Sequence, residues 1–249
     1  MNTIQDLTNI IASQDRTHSV AQFVRHGLKG TYGKLDQNHP DGVAKAIQFG
    51  KDLRPQDLIL GYHSAITRAQ QTTELIIENA PHLNKINSIA LPELQIPQFS
   101  PEMTKLFKQI ASDPTRDGAE WYLSFGDNRP DEETFSPLET AERMAFGLVT
   151  GLEAISNQTP NQSIDAILGT HSCLPEPLLQ RILVVNGQTG INNVNIMELG
   201  GILKLVEPVS FNITPNSETQ ANLTCTFRGT NYEIDMDRLN NLYTSYINK

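Results

Sequence analysis

Apolar and polar positions alternate along the chain in a way that predicts strands and helices in turn. Residues 1–17 fit a short helix around Ile4, Leu7, Ile10 and Ile11. Ser19 to Val24 predicts a strand that runs straight into Arg25-His26-Gly27. The Gly-rich, polar stretch from Leu28 to His39 reads as a loop. Pro40, with Asp41 behind it, opens a helix to about Leu53 that buries Val43, Ala46 and Ile47, with Phe49 or Gly50 as a further candidate. Asp57 to Tyr62 is a second strand. Thr67 and Gln70 have capping-box spacing before a helix that ends near Asn79, with Leu75 and Ile76 inside.

Ser88 to Leu91 predicts a third strand ending at Pro92-Glu93. Ser100-Pro101 starts a helix with Met103, Leu106, Phe107 and Ile110 on one face, and residues 112–135 read as loops. Ser136-Pro137-Leu138-Glu139 is the sharpest helix start in the chain: Ser caps, Pro takes the first position and Glu closes the box. Leu138, Ala141, Ala145, Leu148, Val149, Leu152 and Ile155 then hold the 3.6-residue period. Ile164 to Leu168 is an apolar strand ending at Gly169-Thr170-His171-Ser172. Pro175 to Val185 reads as helix and Val194 to Val206 as a hairpin turning at Gly200-Gly201. Leu223 to Phe227 and Tyr232 to Ile234 form a second hairpin before a C-terminal helix from about Asp235.

This order predicts an α/β fold: a three-layer α/β/α sandwich on a mostly parallel central sheet. We expect one domain over 1–249. Its core is about 19–206, with a small, mostly helical cap inserted at about 95–135 and a C-terminal β-hairpin/helix extension at about 207–249. Trp121, Tyr122 and Phe125 in the cap are expected to form a satellite core, with a substrate lid as the alternative.

Composition narrows the function. The net charge is −9 and Lys and Arg do not cluster, which argues against a nucleic-acid or anionic-membrane binder. No stretch nears the ~18 apolar residues of a membrane span. Two cysteines, Cys173 and Cys225, are too few for a disulfide framework and suit a cytoplasmic, reducing compartment. With no basic start and apolar run at the N-terminus, no signal peptide is expected.

Ligands of open α/β sheets sit beyond the carboxyl ends of the strands. Three predicted strands end there in reactive residues: Arg25-His26-Gly27, His63-Ser64 leading to Arg68, and Thr170-His171-Ser172. Guanidinium groups bind phosphate oxygens bidentately, and helix N-termini near Arg68 and Ser172 favour an anion. A histidine among arginines is pushed toward its neutral, nucleophilic form. Together these are a nucleophile, a charge clamp and a second imidazole for phosphoryl transfer.

These three segments resemble the histidine phosphatase superfamily, the phosphoglycerate-mutase-like family, in its first branch. Phe23-Val24-Arg25-His26-Gly27 resembles its signature, and the segment from His63 through Arg68 to Thr73 its second motif. Gly169-Thr170-His171-Ser172 resembles the late His motif, and the likeness spans roughly 19–206. The resemblance implies that His26 is phosphorylated during turnover and that Arg25, Arg68 and His171 bind the phosphoryl group. It implies a carboxylate that protonates the leaving oxygen and then helps activate water. Glu93 stands in the usual place, with Glu120, Asp131, Glu132 and Glu133 as alternatives. No metal or other cofactor is expected.

Mutases of the family follow Arg-His-Gly with Glu-Ser, where this chain has Leu28-Lys29. That departure favours a phosphatase acting on a small phosphorylated substrate, a phosphoprotein being open. A mutase and a non-catalytic phosphate-binding protein are the alternatives, and the C-terminal extension is a candidate homodimer surface. Lys29, His63 and Ser172 are candidate pocket residues; a solvated Lys29 and a structural His63 are the competing readings. His18, His39 and His82 are expected on the surface or as caps, and Cys173 as a small buried residue.

Overall fold

The computed structural model describes residues 3–14, 19–27, 38–95, 99–112, 118–215 and 221–249. In chain order the elements are α1 (Ile4–Ser13), β1 (Val20–Arg25), α2 (Pro40–Asp52), β2 (Leu58–His63), α3 (Thr67–Asn79), β3 (Asn84–Lys85) and β4 (Ile89–Ala90). A 3-10 turn (Pro92–Leu94) leads to α4 (Pro101–Ser112), α5 (Gly118–Leu123), α6 (Pro137–Ser156), β5 (Ile164–Thr170), α7 (Pro175–Ile182) and β6 (Leu183–Val184). The chain ends in β7 (Pro208–Pro215), β8 (Ala221–Phe227), β9 (Thr230–Ile234) and α8 (Met236–Ile247).

The strands form one sheet in the order β3-β2-β5-β1-β7-β8-β9-β6, with β4 also pairing β2. Strands β1 to β5 are parallel, as expected. From β7 onward the pairing is antiparallel, so the C-terminal hairpin continues the central sheet through β1 and makes it mixed. Side chains of a strand point alternately to its two faces, and the burial follows that period. Val24, Ile59 and Ile167 pack with Ala46, Ile76 and Ile77 of α2 and α3. Ala21, Phe23, Leu58, Leu60, Ala166 and Leu168 pack on the other face with α1, α6, α7 and α8. Two separate cores on one sheet are the three-layer sandwich.

Local signals account for most elements. Ser136 accepts from Glu139 N at 3.1 Å while Glu139 accepts from Ser136 N at 2.9 Å, the full capping box. Six of the seven periodic residues of α6 are buried, Leu138 being half-buried. Glu142 on this helix is buried as well, under Ser245 of α8 and Lys249 just beyond it, both hydrogen-bonded to its carboxylate.

Some expectations change. Helix α3 starts at Thr67 without a side-chain cap, so Thr67 is its first residue and not its box. In α2 the buried positions are Gly42, Ala46 and Gly50, leaving Val43 and Ile47 half-buried. Residues 112–135 include a helix, α5, whose Tyr122 joins Ala119 and Cys173 in a small cluster with Phe99, Phe107 and Trp121 beside it. That is the satellite core. No strand forms over 194–206; turns take its place, and the antiparallel strand begins later, at Pro208. His39 caps α2 through its Nδ1, as expected, but His82 is buried and hydrogen-bonded to Asp165. His18 lies outside the described residues. No described helix is long and apolar enough to cross a membrane.

Candidate active site

Register brings the three motif-bearing strand ends level. Arg25 pairs with Thr170, and His63 with Gly169. His26 N then donates to Thr170 O (2.9 Å) and Ser64 N to Gly169 O (3.0 Å), so His26, Ser64 and His171 emerge side by side. The imidazoles of His26 and His171 are buried, with centroids 4.8 Å apart and planes at 62°.

Two glycines allow this approach. A Cβ on Gly27 would sit 2.8 Å from Asn38 Oδ1 and 2.9 Å from Gly42 Cα, and one on Gly169 would sit 2.0 Å from Thr73 Oγ1. Any larger residue would push α2 or α3 off the sheet.

His26 has a defined protonation pattern. Arg68 Nε lies 3.0 Å from its Nε2. A guanidinium only donates, so Nε2 carries a lone pair. The proton sits on Nδ1, which donates to Gly27 O at 2.5 Å. His26 is thus neutral, with its basic nitrogen turned to the Arg68 cation. Arg68 is held in turn by its helix: its carbonyl accepts from Thr72 Oγ1 (2.8 Å) and Asn38 Nδ2 (3.0 Å), and Thr72 Oγ1 accepts from Gly27 N (3.0 Å).

His171 accepts from or donates to Ser64 Oγ at 2.7 Å. Burial, and then the neighbouring His26, Arg68 and Arg25, push its pKa down to about 2. It is neutral across the working range. Arg25 Nη1 donates to Leu203 O at 2.5 Å, and Glu176 Oε1 accepts from Leu203 N at 2.8 Å, so both grip one backbone residue. Burial lowers the Arg25 pKa, with Glu176 opposing it, and burial raises that of Glu176. Ser172 is half-buried in the turn into α7, where Cys173 adopts φ 64°. That turn swings α7 away from the strand end.

His63 donates from Nδ1 to Ser64 O at 2.7 Å, a bond that shapes the turn at the end of β2. Glu93 lies in the 3-10 turn, which is pinned to the same edge: Leu91 N donates to His63 O (2.8 Å) and Thr170 Oγ1 to Leu94 O (3.2 Å). Its Oε1 accepts from Tyr246 OH of α8 at 3.1 Å. Of the alternative acids, Asp131 organises a turn, accepting from Ser100 Oγ (2.6 Å) and Thr134 N (2.7 Å), bonds that lower its pKa. Glu120, Glu132 and Glu133 are exposed on the cap. Lys29 lies outside the described residues.

The structure therefore gathers His26, Arg68 and His171, with Arg25 close enough to act on His171, and sets the Glu93 turn at their edge. Sequence reasoning placed Ser64 at the strand end without giving it a role, and passed over the roles of Thr72, Asn38 and Glu176. Thr72 could have been found from its spacing, four residues after Arg68. Asn38 and Glu176 carry no local signal. Among the described residues no group of three or more His, Cys, Asp or Glu side chains could hold a metal ion.

No family model and no curated protein matches this chain. Solved structures do. A proposed alpha-ribazole-5′-P phosphatase from Escherichia coli K-12 aligns with a TM-score of 0.52 at 12% identity, over 85% of this chain and 97% of its own. A mycobacterial glucosyl-3-phosphoglycerate phosphatase, solved with inorganic phosphate, gives 0.51 at 15% identity, over 85% and 97%. A protein described as mycobacterial hydrolase 1 gives 0.50 at 14%, over 85% and 99%. Identities this low speak to architecture alone. In architecture the chain has the phosphoglycerate-mutase-like fold, the one its three motifs resemble.

Proposed function

We propose that the chain is a histidine phosphatase: a metal-independent enzyme that hydrolyses a phosphomonoester through a phosphohistidine on His26. The observation that carries this is the lone pair on His26 Nε2, facing Arg68 and beside a second buried imidazole. A neutral imidazole nitrogen with cations around it is a nucleophile waiting for an anion.

In the first step Nε2 bonds to phosphorus and the ester P–O bond breaks. The electron pair leaves on the substrate oxygen, which takes a proton from an acid, for which Glu93 is our candidate. Arg68 exchanges its bond to Nε2 for the phosphoryl oxygens, as Nε2 becomes engaged with phosphorus. Water then attacks the phosphohistidine and gives its proton to the same carboxylate. The P–N bond breaks and neutral His26 returns. Names among the neighbours point the same way, since two of the three are phosphatases acting on phosphate esters. The whole chain would act as one domain on a small phosphorylated substrate in the cytoplasm.

The test is turnover of p-nitrophenyl phosphate with EDTA present, wild type against His26→Ala. We expect hydrolysis by the wild type, loss of it in the variant, and an acid-labile, alkali-stable phosphoryl group on the wild type alone. Equal hydrolysis by both proteins would refute the mechanism. An isomerised phosphate ester, instead of free phosphate, would make the enzyme a mutase.

A further inference from the structure

Ser64 is fully buried between two site histidines, and hydrogen-bond arithmetic there fixes a proton that no diffraction experiment at ordinary resolution would show. Its Oγ accepts from Ile66 N at 3.3 Å. It also lies 2.7 Å from His171 Nε2. A hydroxyl has one hydrogen to give. If Nε2 of His171 carried the imidazole proton, Ser64 would accept twice and its own O–H would have no acceptor in this bond pair. His171 would then present a bare lone pair at Nδ1, which is buried and without a partner. If instead Ser64 donates to Nε2, the hydroxyl is satisfied and the imidazole proton lies on Nδ1.

The second arrangement also suits the electrostatics of the site. Burial, with His26, Arg68 and Arg25 beside it, depresses the His171 pKa, so the ring does not gain a second proton near neutrality. Its contribution to anion binding then depends on which nitrogen holds its single proton. A lone pair repels a phosphoryl oxygen and an N–H binds it.

We propose that Ser64 is a positioning residue that, by donating to Nε2, holds His171 in the Nδ1–H tautomer and so makes it a neutral hydrogen-bond donor to the phosphoryl group on His26. The proposal deepens the phosphatase reading and rests on it for the identity of the bound group. It makes His171 a donor without charge, with Arg25 and Arg68 supplying the positive charge among the described residues.

The experiment is 15N imidazole spectroscopy of the full-length protein, free and with orthovanadate, on wild type, Ser64→Ala and Ser64→Thr. His171 is assigned by loss of its signals in His171→Gln. The wild type is expected to show a pyrrole-type Nδ1 and a pyridine-type Nε2 at this ring. Ser64→Ala should shift the ring toward the other tautomer and weaken vanadate binding by about ten- to hundredfold. Ser64→Thr, which keeps the hydroxyl, should restore both. The same hydroxyl loss should appear in kcat more than in KM, because the phosphoryl oxygens gain charge in the transition state. A protonated Nε2 in the wild type overturns the proposal without any variant having to fold. So does a Ser64→Ala protein with unchanged tautomer and vanadate affinity. Either result leaves phosphohistidine on His26 untouched, whereas absence of phosphohistidine with the expected tautomer would sink only the enzymatic reading.

Discussion

Near the start of β5, Asp165 accepts from His82 Nε2 at 3.0 Å and from Gln56 Nε2 at 3.1 Å, in a pocket where the His and Asp side chains are 0% and 4% exposed. Just past the end of the same strand, His171 lies against a second imidazole and two arginines. Both rings leave a buried Nδ1 without a partner, but the surroundings differ. The first cluster contains its own carboxylate, with both oxygens satisfied, and asks nothing of solvent or ligand. The second gathers imidazoles and guanidiniums at the strand's carboxyl end, which is where α/β sheets bind ligands. One edge holds the fold together and the other is held ready.

Substitutions should therefore separate by edge, activity at one and stability at the other. The largest effect expected is from Glu93→Gln. Hydrolysis of an alkyl phosphate should slow by roughly two to four orders of magnitude, the scale of general-acid catalysis. p-Nitrophenolate leaves unaided, so its release should suffer far less. The glutamine carbonyl can still accept from Tyr246, so the melting temperature should hold. An alkyl phosphate hydrolysed at the wild-type rate would move the acid to Glu120, Asp131, Glu132 or Glu133.

Arg68→Ala comes next. Removing a guanidinium from a site of developing charge costs on the order of a hundred- to a thousandfold in kcat/KM. Stability should change by no more than about 0.5 kcal/mol, since the bonds that anchor α3 here run through the Arg68 carbonyl. Lysine should rescue only partly, because it lacks the planar fork. A large drop in melting temperature with kcat/KM preserved would reverse the assignment of this edge.

Asp165→Ala tests the other side. It strips His82 and Gln56 of their acceptor and should cost about 3 kcal/mol in denaturant unfolding. The activity per folded molecule should stay within twofold. Loss of kcat/KM in a protein of unchanged stability would show that the two ends of β5 are not independent.

What was readable from sequence follows the same division. Strands β1, β2 and β5, the box at Ser136 and the triplets at 25–27 and 170–172 are local signals, and local signals survive without a partner. His82 follows Pro81 after a helix and looks like a surface residue. Its burial depends on Asp165, which is 83 positions away. Tyr246 reaches Glu93 across 153 positions. Gly200 and Gly201 do adopt positive φ, as a hairpin turn would, but the turn presents Leu203 to Arg25 and Glu176 and no strand pairing follows. The pairing partner of β1 on that side is β7, a long-range choice that no spacing announces. The candidate site was visible because its reactive residues sit at strand ends; the groups that hold them were not, because those are brought there by contacts distant in sequence.

The smallest effect is a slope. His171 has its pKa lowered from 6.5 to about 2, so the native state refuses a proton that the unfolded chain accepts. Above pH 6.5 neither state binds it and the contribution to stability is intact. As pH falls below 6.5 the unfolded state gains the proton first, and stability is lost progressively down toward pH 2. Between pH 7.5 and 5.5 this group should remove about 1 kcal/mol. Other groups titrate in the same window, so the measurement is a difference: urea unfolding of the wild type and of His171→Gln across that range. The wild-type curve should be steeper, by about half a proton at pH 6.5 and approaching one proton at the acid end. Adding vanadate should raise the whole wild-type curve and leave the slope difference in place, because a neutral donor binds the anion without titrating. Parallel curves would mean that His171 takes up a proton in the folded protein as readily as in the unfolded chain, and that the ring titrates as an ordinary histidine there.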